Sequence, residues 1–298
     1  MSHDHSNTHE TKDFGKAFAI GVILNVIYIA VEVAYGLIID SLALLADAGH
    51  NLSDVLGLVL AWVASYLTQK SATGNYTYGF KKSSVLAALL NALILLVAIG
   101  VIIREAIGRF SQPETPDGEI VMIVAGIGVI INAVTALLFF SGRKHDLNIK
   151  GAFLHMAADA GISLGVVVVG FVLIFSNVYW LDPVVSIAIA LIIFWGTWGL
   201  LKDSVNLALD AVPPQIDKNA VEEYLSSLPE IINFHDLHIW AMSTTEAALT
   251  VHAVVKDNCG GNKLFEKISD DLKDKFNIVH TTIQLEVSGD EECKQNHI

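Results

Sequence analysis

The stretch SLALLADAGHNLSD, residues 41–54, is apolar enough to enter a lipid bilayer, yet it carries Asp47, His50 and Asp54. A helix that crosses ~30 Å of hydrocarbon needs about 20 predominantly apolar residues. The run around residues 41–54 meets that length, and six such runs occur, at 15–39, 42–68, 83–109, 118–141, 149–176 and 183–207. Composition agrees, with 53% of residues hydrophobic, 16% charged and a mean hydropathy of +0.54, whereas soluble domains lie nearer a quarter charged. The sequence therefore predicts an α-helical membrane protein with six transmembrane helices over residues 14–210. From about Pro213 the character changes, and residues 211–298 read as a small soluble domain. The polar lead MSHDHSNTHETKD, residues 1–13, precedes the first run, which lacks a small-residue cleavage site. That run is expected to be a retained helix and not a signal peptide.

Orientation follows from the placement of Lys and Arg in short loops. Lys12 and Lys16 precede the first helix, and Lys70, Lys81 and Lys82 lie between the second and third. Arg143, Lys144 and Lys150 lie between the fourth and fifth, and Lys202 ends the sixth. The opposite loops hold almost none, with Arg104 and Arg109 as exceptions. The pattern predicts both termini in the cytoplasm. The two cysteines, Cys259 and Cys293, would then sit in a reducing compartment, where a disulfide is not expected. The net charge of −13 is concentrated from Asp203 onward, with 17 acidic and 7 basic side chains there. Such a balance argues against nucleic acid or anionic lipid as the tail's partner and suits a cation.

His50 and Asp54 are spaced i, i+4, so both project from one face of the second helix. The fifth helix repeats the pattern in HMAAD, as His155 and Asp159. Two helices that each offer one imidazole and one carboxylate supply four ligands, which is the number and donor type that tetrahedral zinc takes. Two carboxylates also neutralise one divalent cation, where unbalanced charges at this depth would be costly. The plainer reading, ionisable groups hydrogen-bonded to neighbouring helices, fits one lone His better than the same pattern on two helices. Asp47 is open between a gate residue or access-path ligand and a capped helix start.

These residues resemble those of the cation diffusion facilitator family, over nearly everything after residue 13. The paired HxxxD is the specific part. YTYGFKKSSVLAALLNA (76–92), LDPVVS (181–186) and DLHIW (236–240) support it. The resemblance implies that His50, Asp54, His155 and Asp159 form the transport site, and the histidine-bearing version is similar to the zinc-preferring branch. Imidazole favours borderline metals, while oxygen-only sites suit Mn²⁺ or Mg²⁺. Residues 69–80 contain no His, Asp, Glu or Cys, so the metal site that some members carry in that loop is not expected. The loop GRKHDLNIK, with His145, is short, as in bacterial members, which places the chain in the inner (plasma) membrane. Ser84 stands where relatives often carry an acidic residue, so the resemblance leaves open any salt link at the foot of the third helix.

In the tail, 218–228 and 262–276 are patterned as helices, and 234–242, 247–255 and 278–287 as strands, an α-β-β-α-β order that suggests a ferredoxin-like α+β fold. Period-two alternation puts Leu249, Val251, Ala253 and Val255 on one face with His252 opposite. It likewise puts Ile283, Leu285 and Val287 inward and His280, Gln284 and Glu286 outward. His235 and His238 flank Leu237. His252 and Glu286 are thus placed where they meet His235, and the resemblance implies zinc there, with His280 as a further ligand; exposed polar residues on a sheet are the alternative. Cys293 reads as a bystander. His3, His5 and His9 read equally as a weak metal-capturing lead or a neutral terminus. The resemblance implies a homodimer paired through the tail.

The reading is a proton-coupled antiporter that exports Zn²⁺, with Cd²⁺ and Co²⁺ as further substrates, from the cytoplasm. Its partners are divalent metal ions, protons, membrane lipid and a second copy of the chain, with no nucleic acid. An intramembrane metalloenzyme is the first rival, but there is no HExxH and neither HxxxD places a Glu general base beside a zinc ligand. A membrane-tethered metal sensor without transport is the second.

Overall fold

The computed structural model describes residues 14–112, 116–140, 147–176, 178, 180–256 and 261–287. The expectations for His3, His5, His9, His145, Cys259 and Cys293 fall outside the described residues. Six long helices come first: α1 (Phe14–Ile38), α2 (Leu42–Thr68), α3 (Ser83–Arg109), α4 (Gly118–Phe139), α5 (Leu147–Phe175) and α6 (Leu181–Ala208). Among the described residues, α2 to α6 each hold a span long and apolar enough to cross a membrane. The 25-residue α1 is apolar over Val22–Ile38. The tail follows as α7 (Lys218–Ser227), β1 (Ile231–Ala241), β2 (Ala247–Val255), α8 (Gly261–Phe276) and β3 (Ile278–Val287). By packing, the chain forms two compact units, Met1–Leu56 with Ile94–Gly196, and Gly57–Leu93 with Thr197–Ile298.

In the first unit, small and β-branched residues fill the core: Ala43 and Ala46 of α2, Ile99 of α3, Val121 and Ala125 of α4, Val166 of α5 and Ala190 of α6. Small residues let helix backbones approach closely, as membrane packing without a hydrophobic drive requires. Where α5 crosses α4, a Cβ on Gly170 would lie 2.5 Å from the Met122 amide nitrogen. The α1–α2 turn is fixed by Asp40, whose φ of 57° is left-handed, with the Ser41 N–H returning to the Gly36 carbonyl at 2.9 Å, a Schellman closure of α1. Asp182, at the start of α6, then caps α2. Its carboxylate accepts from Ser41 Oγ at 2.9 Å, Leu42 N at 2.9 Å and Ala43 N at 3.2 Å. The Arg109 guanidinium lies 3.7 Å from Asp182 and 2.5 Å from Asp40. Arg109 is thus a paired, buried cation, which is why it departs from the charge pattern of the loops.

In the second unit the tail domain has a three-stranded sheet in the order β1-β2-β3, with β1 and β2 antiparallel and β2 and β3 parallel. That is one strand fewer than a full β-α-β-β-α-β arrangement. The Asp217 carboxylate caps α7 by accepting from Asn219 N at 2.9 Å and Ala220 N at 3.4 Å. Val221 and Leu225 of α7, and Leu264, Ile268 and Leu272 of α8, are the buried stripes at helical spacing. They cover Leu249, Val251 and Ala253, and each fully buried Leu, Ile or Val side chain contributes roughly 1.5–3 kcal/mol.

β1 begins three residues before the expected 234, because Ile231 and Asn233 pair with Val255 and Val254. Val287 was expected inward but is 37% exposed. It ends the strand, past Ile283 and Leu285, which do pack on the core. At the foot of α3, Lys81 pairs with Glu246 and Lys82 lies 2.5 Å from Asp210. The Ser84 hydroxyl accepts the Thr244 N–H at 3.1 Å, so the salt links there come from the two lysines preceding Ser84.

Candidate metal centres

Within the first unit the four residues of the two HxxxD patterns converge. His50 Nε2 lies 3.2 Å from Asp159 Oδ1, and His155 Nε2 lies 3.2 Å from Asp54 Oδ2 and 3.7 Å from Asp159 Oδ2. Each imidazole therefore faces the carboxylate of the other helix, and the two rings meet edge to face with centroids 6.2 Å apart. Four ligands about 2.1 Å from a tetrahedral zinc sit about 3.4 Å from one another. The observed separations of 3.2–3.7 Å straddle that spacing. Asp159 is 1% exposed and His155 is 43% exposed, so the cluster is deep on one side and open on the other. Asp159 Oδ2 has no hydrogen-bond donor among the described residues, which leaves a buried carboxylate oxygen for a cation.

Asp47 is placed apart from these four. It is fully buried and accepts a hydrogen bond from Ser163 Oγ of α5 at 2.7 Å. The α2 amides are capped by Asp182, not by Asp47.

The second cluster lies on the open face of the tail sheet. His235 of β1 and His252 of β2 are direct cross-strand partners, with ring centroids 5.0 Å apart. Both turn to one carboxylate: His235 Nε2 lies 3.1 Å from Glu286 Oε2, and His252 Nδ1 lies 3.0 Å from Glu286 Oε1. The His235 hydrogen bond, more than any other contact, holds the Glu286 carboxyl below the usual carboxylate range; the His252 contact adds to it. Gln284 donates to Glu286 Oε1 at 3.3 Å. His238 is exposed further along β1, opposite Thr250. His280 is not brought to the cluster: its ring stands edge-on to Tyr78 at 5.5 Å. It shares a face with Glu286 but precedes it by six residues, roughly 20 Å along a strand.

Sequence patterning missed one member. Asp236 has a φ of 50° at a bulge where the β1 register shifts between His235 and His238. Its Oδ2 lies 3.8 Å from His235 Nδ1, and ligand atoms of His235, Asp236 and His252 fall within 4.8 Å of one another. The signal available was an Asp inside a strand pattern, since Asp tolerates the left-handed region that such bulges use. Two imidazoles with one or two carboxylates form a donor set of the type zinc takes.

The chain matches two family domains: the cation efflux transmembrane domain over residues 18–207 and the cation efflux protein cytoplasmic domain over residues 213–288. It is 35% identical over 294 residues to the cadmium, cobalt and zinc/H(+)-K(+) antiporter of Bacillus subtilis, a match that covers 97% of this chain and 93% of that protein. To the metal cation efflux system protein CzcD of Cupriavidus metallidurans it is 34% identical over 296 residues, covering 99% and 91%. To the zinc transporter ZitB of Escherichia coli it is 33% identical over 290 residues, covering 96% and 92%.

Proposed function

The chain belongs to the cation efflux family, and from that premise we propose that it carries Zn²⁺, with Cd²⁺ and Co²⁺ as further substrates, out of the cytoplasm in exchange for protons. It is a multi-pass membrane transporter with a cytoplasmic C-terminal domain, and not an enzyme. The observation that carries the finer reading is the crossed pairing of His50 with Asp159 and of His155 with Asp54. Two imidazoles and two carboxylates paired at 3.2 Å are N and O donors that suit a borderline divalent metal.

Charge then supplies the coupling. With metal bound and both imidazoles neutral, Zn²⁺ and two carboxylates sum to zero. When the metal leaves, two negative charges would stand in a low-dielectric setting, which is costly. A proton on each imidazole restores neutrality, so metal and protons compete for the same four side chains. An acidic exterior refills the emptied seat with protons, and a neutral interior removes them and leaves the seat ready for metal. The loop charges support an arrangement with both termini in the cytoplasm of a bacterial cell and the six helices in its inner membrane.

In the tail, His235, His252 and Glu286, with Asp236 beside them, are the residues that would hold a resident zinc. Bound there, the ion would crosslink all three strands and stabilise a domain with a small core. The cytoplasmic family domain supports pairing of two copies through this part of the chain.

The test is zinc uptake into proteoliposomes holding the purified chain, read by a lumenal zinc dye and a lumenal pH dye. An acid lumen should speed zinc entry, and the lumen should lose acid as zinc arrives. Flux indifferent to the gradient, with no proton counter-movement, would leave a uniporter.

A further inference from the structure

The first unit buries a second polar constellation that the exchange described above does not use. Tyr28 and Glu32 come from α1, Asp47 and Asn51 from α2 and Ser163 from α5, and each is at most 4% exposed. Tyr28 Oη donates to Glu32 Oε1 at 2.7 Å, and Ser163 Oγ donates to Asp47 Oδ2 at 2.7 Å. The other carboxylate oxygens, Glu32 Oε2 and Asp47 Oδ1, have no hydrogen-bond partner among the described residues, and neither does Asn51 Nδ2. Yet the Glu32 carboxyl interacts directly with both the Asp47 carboxyl and the Asn51 amide. Gly128 of α4 closes the cluster, since a Cβ there would fall 2.1 Å from Tyr28 Oη.

The charged and titratable groups that face the pair are few. They are led by Tyr28 from α1, His50 from α2 and Asp159 from α5, and no Lys or Arg forms an ion pair with either carboxyl among the described residues. Two carboxylates side by side in such a place cannot both stay ionised, because no fixed cation pairs with them and the neutral donors Tyr28 and Ser163 reach only one oxygen of each. Nor can two bare carboxylates bond to each other, since an ionised carboxylate only accepts. The donors are all oxygen or amide, with no imidazole or thiolate, which makes a poor seat for zinc. A proton is the occupant that satisfies both the charge and the orphaned oxygens.

We propose that Glu32 and Asp47 share one proton between Glu32 Oε2 and Asp47 Oδ1, as a proton-binding element separate from the metal seat. Asp47 precedes His50 by three residues on α2, and Ser163 follows Asp159 by four on α5. On the orientation proposed above, both steps lead toward the extracytoplasmic side, which is where the incoming protons arise. The pair's part in transport rests on the proton-exchange reading, while the shared proton rests on the buried constellation alone.

Infrared spectroscopy of the full-length protein in H₂O and D₂O tests this, because a protonated carboxyl has a carbonyl stretch that ionised ones lack. At neutral pH the wild type should show that band, shifted by deuterium, and Glu32→Gln and Asp47→Asn should each abolish it. Glu32→Asp, which keeps the carboxyl, should retain a displaced band. In proteoliposomes Glu32→Gln should still bind zinc but lose the acceleration of zinc flux by an acid lumen. Absence of the band in the wild type, or its survival in both amide variants, overturns the proposal. A band that appears only when Na⁺ and K⁺ are withheld makes an alkali ion the occupant and overturns it as well. If the band behaves as expected while wild-type flux ignores the pH gradient, the shared proton stands and the exchange reading falls.

Discussion

The two candidate metal clusters use the same side chains in opposite ways. In the first unit, two imidazoles meet two carboxylates crosswise between α2 and α5. On the tail sheet, two imidazoles converge on the single carboxylate of Glu286. The difference follows from the medium. A site inside the bilayer must come close to neutrality both full and empty, so each negative group needs its own partner able to take a proton. A half-exposed sheet face has water to stabilise a residual charge, so register alone can assemble the ligands. On the proposed function, crossed pairs would suit a seat that is filled and emptied, and a shared carboxylate one that keeps its ion.

The most severe break of that contrast is to remove a membrane carboxylate. Asp159→Ala takes away the buried group that both imidazoles approach, and Asp54→Ala takes away the partner of His155. Each should lower zinc flux in proteoliposomes by more than about 100-fold, since even outer-shell partners of metal ligands cost 10–100-fold. Wild-type flux in either variant would end the four-ligand site. Next in size is a change of donor type. His50→Asp with His155→Asp makes an oxygen-only, more negative seat, which should raise Mn²⁺ flux relative to Zn²⁺ by about tenfold. An unchanged ratio would mean that helix packing sets the preference.

The contrast also explains what was legible in the sequence. Helix spans follow from the length of apolar runs, and the i, i+4 repeat of HxxxD names one face of each helix, so the meeting of these four candidate residues was legible in the sequence. Strand alternation likewise put His252, His280 and Glu286 on one side of the sheet. Alternation reports the face and not the height, however, and His280 sits by Tyr78 at the far end of β3. Asp236 escaped because a bulge breaks the period-two rule where it stands. The buried Glu32–Asp47 pair escaped because one carboxylate on each of two helices carries no spacing signal, and only packing buries both groups in one core.

On the sheet, the corresponding break should leave transport largely intact. His252→Ala removes a cross-strand ligand that is not in the membrane, so the zinc retained per chain after dialysis should drop while most of the flux survives. Stoichiometry unchanged in both His252→Ala and Glu286→Gln would remove the cytoplasmic site.

The smallest expected effect is on stability and sharpens the contrast through pH. The Glu286 carboxyl is held below its ordinary range chiefly by the His235 hydrogen bond, with His252 assisting. A depressed folded value means that the fold releases this proton more readily than the unfolded chain does, so the stabilisation is present above the unfolded value near 4.3. It is lost as pH falls through the lower, folded value. Because Glu286 is partly exposed, the contribution stays within the range of surface ion pairs, below about 1 kcal/mol. Glu286→Gln keeps the shape of the side chain but has no proton to lose. In metal-free protein the wild type should therefore unfold at slightly higher temperature than the variant near pH 6, and the gap should close as pH drops below about 4. A gap that stays constant with pH would mean that Glu286 acts by shape, with its charge held in reserve for the metal.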